Sequence, residues 1–230
     1  KYNKKRGAME ELSYLLKRCP LFYGIREDEL YTLLKCCAAR EERYEPGELV
    51  LRMGEAMNSM MVLVEGKVLV FQEDFWGQKE ELYHIGEGEV FGQSYSCART
   101  PALPVQLIAE KVCRAVFLDY QRMITFCSLA CDFHTRLIQN LLRILAEANV
   151  GFENRGRHMS RRTTREKLLS YLSQQALQRG SRTFEIPYNR QELADYLGVD
   201  RSAMSSELGR MKAEGILNYR KNWFELIEKY

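Results

Sequence analysis

The sequence predicts an α+β chain in which a β-rich domain is joined by one long helix to a small, mostly helical domain. Three observations predict it. From about Pro46 to Leu118, short apolar runs are cut by Gly47, Gly54, Gly66, Gly77, Gly86, Gly88 and Gly92. From Asp132 onward apolar residues recur at heptad spacing. After Thr163 come two helix caps, a turn glycine and a small residue in the order of a helix-turn-helix.

Taken in order, residues 9–45 read as helical. Leu12, Leu15, Leu16 and Cys19 share one face, and Leu30, Leu33, Leu34 and Cys37 another. The runs LVLRM, MMVLVEG, KVLVFQ and RAVFLD then read as strands, at the close spacing of a sandwich, barrel or roll. Each intervening glycine permits a turn at positive φ. Asp132 caps a helix through His158, on which Ile138, Leu141, Leu145, Ala148, Phe152 and Met159 form a seam, with polar Arg155 at the skipped position. This spacing predicts a two-stranded coiled coil, hence a homodimer. The alternative is a helix lying on the chain's own core, but at ~1.5 Å per residue the helix would be roughly 40 Å long, more than a small β domain covers.

The last segment carries the most information. Thr163 and Glu166 have capping-box spacing, and the helix they open runs to Gly180, before a strand-like TFEIPY. Asn189 and Glu192 cap a short helix that buries Leu193, Ala194 and Leu197; Gly198 ends it and Asp200 caps the next. There Met204, Leu208 and Met211 face inward, opposite Arg201, Ser202, Ser205 and Ser206. ILNYR and WFELIE flank Lys221-Asn222 as a hairpin wing. An exposed second helix of this kind fits the DNA major groove. The residues expected at DNA are Arg190, Gln191, Arg201, Ser202, Ser205, Ser206, Arg210 and Lys221. Arg201, at the helix start, is expected to read a base, while Arg190 and Lys221 meet phosphates.

Composition narrows the function. With 46% hydrophobic and 28% charged residues in 230, the chain is not intrinsically disordered. No apolar run approaches the ~20 residues of a membrane span, and KYNKKRGAMEEL is not a secretory signal. A cytoplasmic protein with no membrane partner is expected. Seven cysteines without framework spacing suit thiols in a reducing compartment. Residues 151–230 carry 15 Lys+Arg against 10 Asp+Glu, whereas residues 1–150 carry 19 against 21, which suits a polyanion partner for the C-terminal part. His84, His134 and His158 lie in separate segments, and no phosphate loop, nucleophile motif or metal-ligand spacing is present. Neither an enzyme nor a cofactor protein is expected.

In this order of elements, from about Cys19 to Leu226, the chain resembles the Crp–Fnr family. The segments Gly86–Gln93 (GEGEVFGQ) and Arg190–Leu217 carry the resemblance most strongly. It implies a homodimeric bacterial transcription regulator that binds an inverted-repeat operator, with RNA polymerase as a partner. The implied domains are a cupin-like, cyclic-nucleotide-binding-like β-roll sensor over residues 1–119, a linker and dimerisation helix over 120–159, and a winged helix-turn-helix over 160–230. The competing function is a regulatory cyclic-nucleotide-type module, as in kinases or channels, without direct DNA binding.

The family's effector cassette is only half present. Gly88, Phe91 and Gly92 match its turn, but Gln93 replaces the acidic ribose ligand and Leu103-Pro104 replaces the Arg-Ser pair. A cyclic phosphate would lie uncompensated in a largely buried pocket, so the departure predicts indifference to cyclic AMP. Arg99 is near but out of register. What remains is either a pocket for a small molecule of other chemistry, around Gly92, Gln93, Ser94, Tyr95, Arg99, Leu103, Ala148 and Asn149, or one filled by side chains. Cys19 and Cys36-Cys37 do not reproduce the family's iron–sulfur cysteines, and His84 is the one haem-ligand candidate in the sensor. Cys127 and Cys131, at i and i+4, could form a redox pair. Structural roles are expected for all of these. On the second helix Arg201 matches a family arginine, whereas Ser202 replaces a glutamate and Ser206 an arginine, so the family's operator is not implied.

Overall fold

The computed structural model describes residues 11–125 and 131–227, so Cys127 lies outside the described residues. The chain divides into two compact units, Lys1–Ala146 and Glu147–Tyr230, and the division falls inside one long helix.

The first unit opens with helical residues 11–16, a 3-10 turn Pro20–Phe22 and helix α1 (Glu27–Cys36). Eight strands follow: β1 (Arg40–Tyr44), β2 (Leu49–Leu51), β3 (Ser59–Glu65), β4 (Val68–Glu73), β5 (Lys79–Ile85), β6 (Val90–Phe91), β7 (Gln106–Ala109) and β8 (Cys113–Asp119). They form two antiparallel four-stranded sheets, ordered β1-β8-β3-β6 and β2-β7-β4-β5. Short helix α2 (Gln93–Ala98) follows β6, and α3 (Tyr120–Ile124) follows β8, its Asp119 cap accepting from the Arg122 N–H.

The two-residue period of β3 and β8 builds two cores at once. Met61, Leu63, Ala115 and Phe117 meet Val68, Val70 and Leu107 between the sheets. Met60, Val62, Val64, Val116 and Leu118 face a helical layer made by Leu12, Leu16, Leu30, Leu33 and Leu34. Helix α4 (Asp132–Met159) adds Leu137 and Leu141 to that layer, at 0% and 3% exposure. Each such leucine contributes roughly 1.5–3 kcal/mol relative to an exposed one.

Three local readings change. Arg40–Tyr44 is a strand rather than part of a helical segment: it has no 3.6-residue apolar period, and its register with β8 decides its conformation. The strands β5 and β7 were not legible, because KEELYHI exposes six of its seven residues at a sheet edge and QLIA is short. Gly86 is not at positive φ, unlike the six other glycines of the β segment; its N–H donates to Glu89 Oε2 at 2.7 Å.

The second unit holds the end of α4 and then α5 (Thr164–Arg179), β9 (Thr183–Glu185), α6 (Arg190–Leu197), α7 (Arg201–Ala213), β10 (Leu217–Arg220) and β11 (Trp223–Leu226). Both capping boxes form, at Thr163/Glu166 and at Asn189/Glu192. The wing is a three-stranded sheet, β10-β11-β9, because the TFEIPY segment pairs with β11. Leu193, Ala194, Leu197, Met204, Leu208, Met211, Leu217 and Phe224 are all fully buried in one core.

Candidate DNA-binding surface and effector site

Helix α7 owes its orientation to a turn of two residues. Gly198 ends α6 at φ 58°, the left-handed region in which a Cβ is disfavoured. Asp200 then caps α7, accepting from the Ala203 N–H at 2.8 Å and the Ser202 hydroxyl at 2.6 Å. The Ser202 bond, with help from the Ala203 amide, holds the Asp200 carboxyl below the usual carboxylate range. With Met204, Leu208 and Met211 inward, the opposite face leaves Arg201, Ser202, Ser205, Ser206 and Arg210 exposed. Ser205 is partly occupied, donating back to the Arg201 carbonyl at 2.9 Å, and Arg210 pairs with Glu207 at 3.4 Å. Arg165 of α5 braces α7 through Glu207 and Glu214. On α6, Gln191 donates to Asp195 at 2.9 Å. Lys221 stands exposed at the tip of the wing, at φ 53°.

Arg190 is placed differently from expectation. Its guanidinium lies 5.0 Å from the Tyr219 ring centroid and 5.1 Å from that of Phe224. Both terminal nitrogens are buried without a hydrogen-bond partner. Burial pulls its pKa below the ordinary arginine value. The cation expected at a phosphate therefore joins the start of α6 to the wing, where two aromatic faces offset part of the cost of its burial.

In the sensor unit, Gly92 is required: it sits at φ 85°, and a Cβ there would overlap Met57 Sδ and Cε. Helix α2 follows it, with buried Ser96 donating to the Met57 and Ser59 carbonyls at 3.3 Å each. Leu103 is 2% exposed and packs in the intersheet core with Met57, Met61 and Phe91. Tyr95 packs on the same core, 5.8 Å from Phe91. Gln93 keeps a buried, unpartnered side-chain oxygen, and Ser94 is exposed. Arg99, at φ 52°, lines an open groove of about 470 Å³ with Asn58, Thr100, Tyr120 and Gln121. Ala148 and Asn149 belong to the second unit, where the Asn149 amide donates to Glu153 at 3.3 Å.

The remaining chemical candidates have structural settings. His84 pairs with Glu110 at 3.1 Å on the surface, and burial pushes the Cys19 and Cys37 thiols up to about 12. Among the described residues, no group of His, Cys, Asp or Glu is placed to hold a metal ion, and no helix is long and apolar enough to cross a membrane.

The long helix corrects one seam position. Leu141 faces the chain's own core, while Leu142 is 60% and Phe152 71% exposed. Ile138, Leu145 and Ala148 are half-buried, Leu145 against that same core. The apolar positions that stay at least partly open to solvent, Ile138, Leu142, Leu145 and Phe152, with Asn149 between, again follow a heptad, but with the step of four first.

A β-roll with an effector-type turn, followed by a long helix and a winged helix-turn-helix, defines a sensor-linked DNA-binding regulator. The comparisons agree. Residues 41–129 match the cyclic nucleotide-binding domain and residues 166–228 the Crp-like helix-turn-helix domain. The chain belongs to the Crp–Fnr family of transcription regulators. It is 25% identical over 215 residues to the cyclic AMP receptor protein of Thermus thermophilus, covering 93% of this chain and 94% of that protein. Its fold is similar to that of OCPA-complexed CprK, at 20% identity and TM-score 0.58, over 87% of this chain and 92% of that one. It is also similar to the c-di-GMP responsive regulator CLP of Xanthomonas campestris, at 17% identity and TM-score 0.51, over 86% and 98%. These relatives are transcription regulators, not enzymes.

Three residues escaped sequence reasoning. Leu142 was findable, since the spacing from Ile138 through Leu142 to Leu145 is as regular as the one through Leu141. The carbonyl-capping roles of Arg155 and Lys167 had no sequence signal, because they depend on which helix end each side chain reaches.

Proposed function

We propose that the protein is a homodimeric, sequence-specific operator-binding regulator whose β-roll does not read a cyclic nucleotide. The exposed α7 face carries this reading: Arg201 and three serines lie opposite three fully buried apolar residues, on the side of the helix turned away from its own core. Arg201 at the N-terminal end reads a base, and Lys221 at the wing tip meets phosphate. Pairing of two α4 helices through Ile138, Leu142, Leu145 and Phe152 would present two recognition helices to an inverted repeat. A polar Asn149 in that seam fits a two-stranded register. The apolar surroundings of Leu103 support the absence of a phosphate site. The protein then acts in the cytoplasm with RNA polymerase, its signal reaching the roll from a molecule of other chemistry.

Selection of binding sites from random DNA tests this. The wild type should enrich an inverted repeat with half-site centres roughly 34–36 Å apart. Arg201→Ala should cost about 1–3 kcal/mol and relax one position in each half-site. Identical sequence preferences from the two proteins would remove Arg201 as a base reader, and no enrichment by the wild type would overturn the function.

A further inference from the structure

We propose that Arg155 and Lys167 are positioning residues for the recognition helix, setting DNA affinity without meeting DNA. The inference rests on the DNA-binding reading above. Helix α6 has eight residues, and its last carbonyls have no partner within the helix. The Gly198 and Val199 N–H groups return to Ala194 and Asp195. Side chains from two other helices share the Asp195 carbonyl and take the three that follow. Arg155, on α4, donates from Nη2 to the Asp195 carbonyl at 3.1 Å and from Nε to that of Tyr196 at 3.0 Å. Lys167, on α5, donates to the Leu197 and Gly198 carbonyls, each at 3.1 Å.

Four consecutive peptide groups are thus pinned by two cations, at the helix end where the backbone dipole is negative. These are the groups immediately before the Val199-Asp200 turn from which α7 departs. The Arg155 guanidinium also lies 5.8 Å from the Tyr196 ring centroid, and Met159 Cε sits 2.9 Å from where a Cβ on Gly198 would be. The final turns of α4 therefore grip the turn that aims the recognition helix. Without the two caps the Tyr196, Leu197 and Gly198 carbonyls must find water, the end of α6 frays, and α7 loses its fixed angle. The donors that Arg155 and Lys167 use on carbonyls are then not spent on phosphate, and this separates the proposal from ordinary basic-patch binding.

The test uses the full chain and a duplex enriched by the wild type from random DNA. Affinity is measured from 50 to 200 mM potassium chloride, roughly the range over which phosphate contacts reveal themselves, for Arg155→Met, Arg155→Lys and Lys167→Met. Each Met variant should bind on the order of tenfold more weakly, as expected for loss of a charged hydrogen-bonded pair. The slope of log affinity against log salt should stay at the wild-type value. Arg155→Lys, which keeps the charge and one of the two bonds, should fall between. Thermal melts accompany every titration; if a Met variant is unfolded at the assay temperature, the Arg155→Lys comparison decides alone. A slope reduced by about one unit per half-site would make these residues phosphate contacts and overturn the proposal. Unchanged affinity in folded variants would overturn it too. Failure of the wild type to enrich any sequence would instead bring down the DNA-binding reading.

Discussion

The guanidinium of Arg190 lies 5.0 Å from the centre of the Tyr219 ring, so the residue that opens α6 is anchored to the wing. Its buried nitrogens have no hydrogen-bond acceptor, and ring faces supply the attraction that a carboxylate otherwise would. Arg190→Ala should therefore destabilise the C-terminal unit by about 1–2 kcal/mol, from lost cation–π attraction and lost packing of the aliphatic stem. Arg190→Met, which keeps the stem and removes an unpaired buried charge, should be close to neutral. Neither should change the salt dependence of DNA binding. Chemical denaturation and salt titration of the two variants check this, and a shallower salt slope in Arg190→Met would return the residue to the phosphate.

Neighbouring leucines on α4 should behave oppositely. Leu141 is 3% and Leu142 60% exposed. Leu141→Ala should cost the sensor unit about 2–5 kcal/mol of folding stability. Leu142→Lys should leave folding nearly unchanged but place two like charges in the proposed seam, shifting the protein toward monomer. Sedimentation at micromolar concentration reads the second effect; a Leu142→Lys protein that remains fully dimeric would remove Leu142 from the seam.

Cyclic AMP and cyclic GMP should bind no more tightly than about 0.1 mM, roughly −5.5 kcal/mol, in titration calorimetry. Leu103 is enclosed in the intersheet core, so restoring the family's arginine there should not restore a site. Leu103→Arg should instead destabilise the sensor by roughly 3 kcal/mol or more, since it buries a charge without a partner. Micromolar binding of either nucleotide by the wild type would disprove the reading.

Acid should weaken the C-terminal unit through His158. The residue is 1% exposed, with Nδ1 2.8 Å from Ser170 Oγ and the ring edge-on to Tyr171 and tilted against Tyr196. Burial lowers its pKa, the Gln174 hydrogen bond opposes that, and Arg157 and Arg161 add to it. Because the folded value lies below the ordinary 6.5, the unfolded chain takes up the proton first as pH falls. His158 then costs nothing above about pH 7 and destabilises the fold progressively below about 6.5. Melting His158→Gln beside the wild type at pH 7.5 and 5.5 isolates it: the wild type should lose more stability between the two. An equal loss in both would show that His158 does not titrate in this range.

The sequence by itself determined the succession of a β-rich segment, a long helix and a helix-turn-helix, and the turn at Gly92. Those features are local: a cap bonds three residues away, Gly198 is needed wherever the chain turns left-handed, and Met204, Leu208 and Met211 share a face in any helix. It also determined that Leu103 stands where a phosphate ligand was expected. Tertiary structure alone decided which leucine of the two possible heptads of α4 is buried in the chain's own core, Leu141, and which stays exposed, Leu142. An isolated helix has no preference between them; the sheet and helices that enclose Leu141 choose. The same holds for Arg190 and Arg155, two arginines alike in sequence. One turns onto Tyr219 and the other onto the carbonyls ending α6, because a long cation takes whichever rings or unpaired oxygens the folded chain brings within its reach.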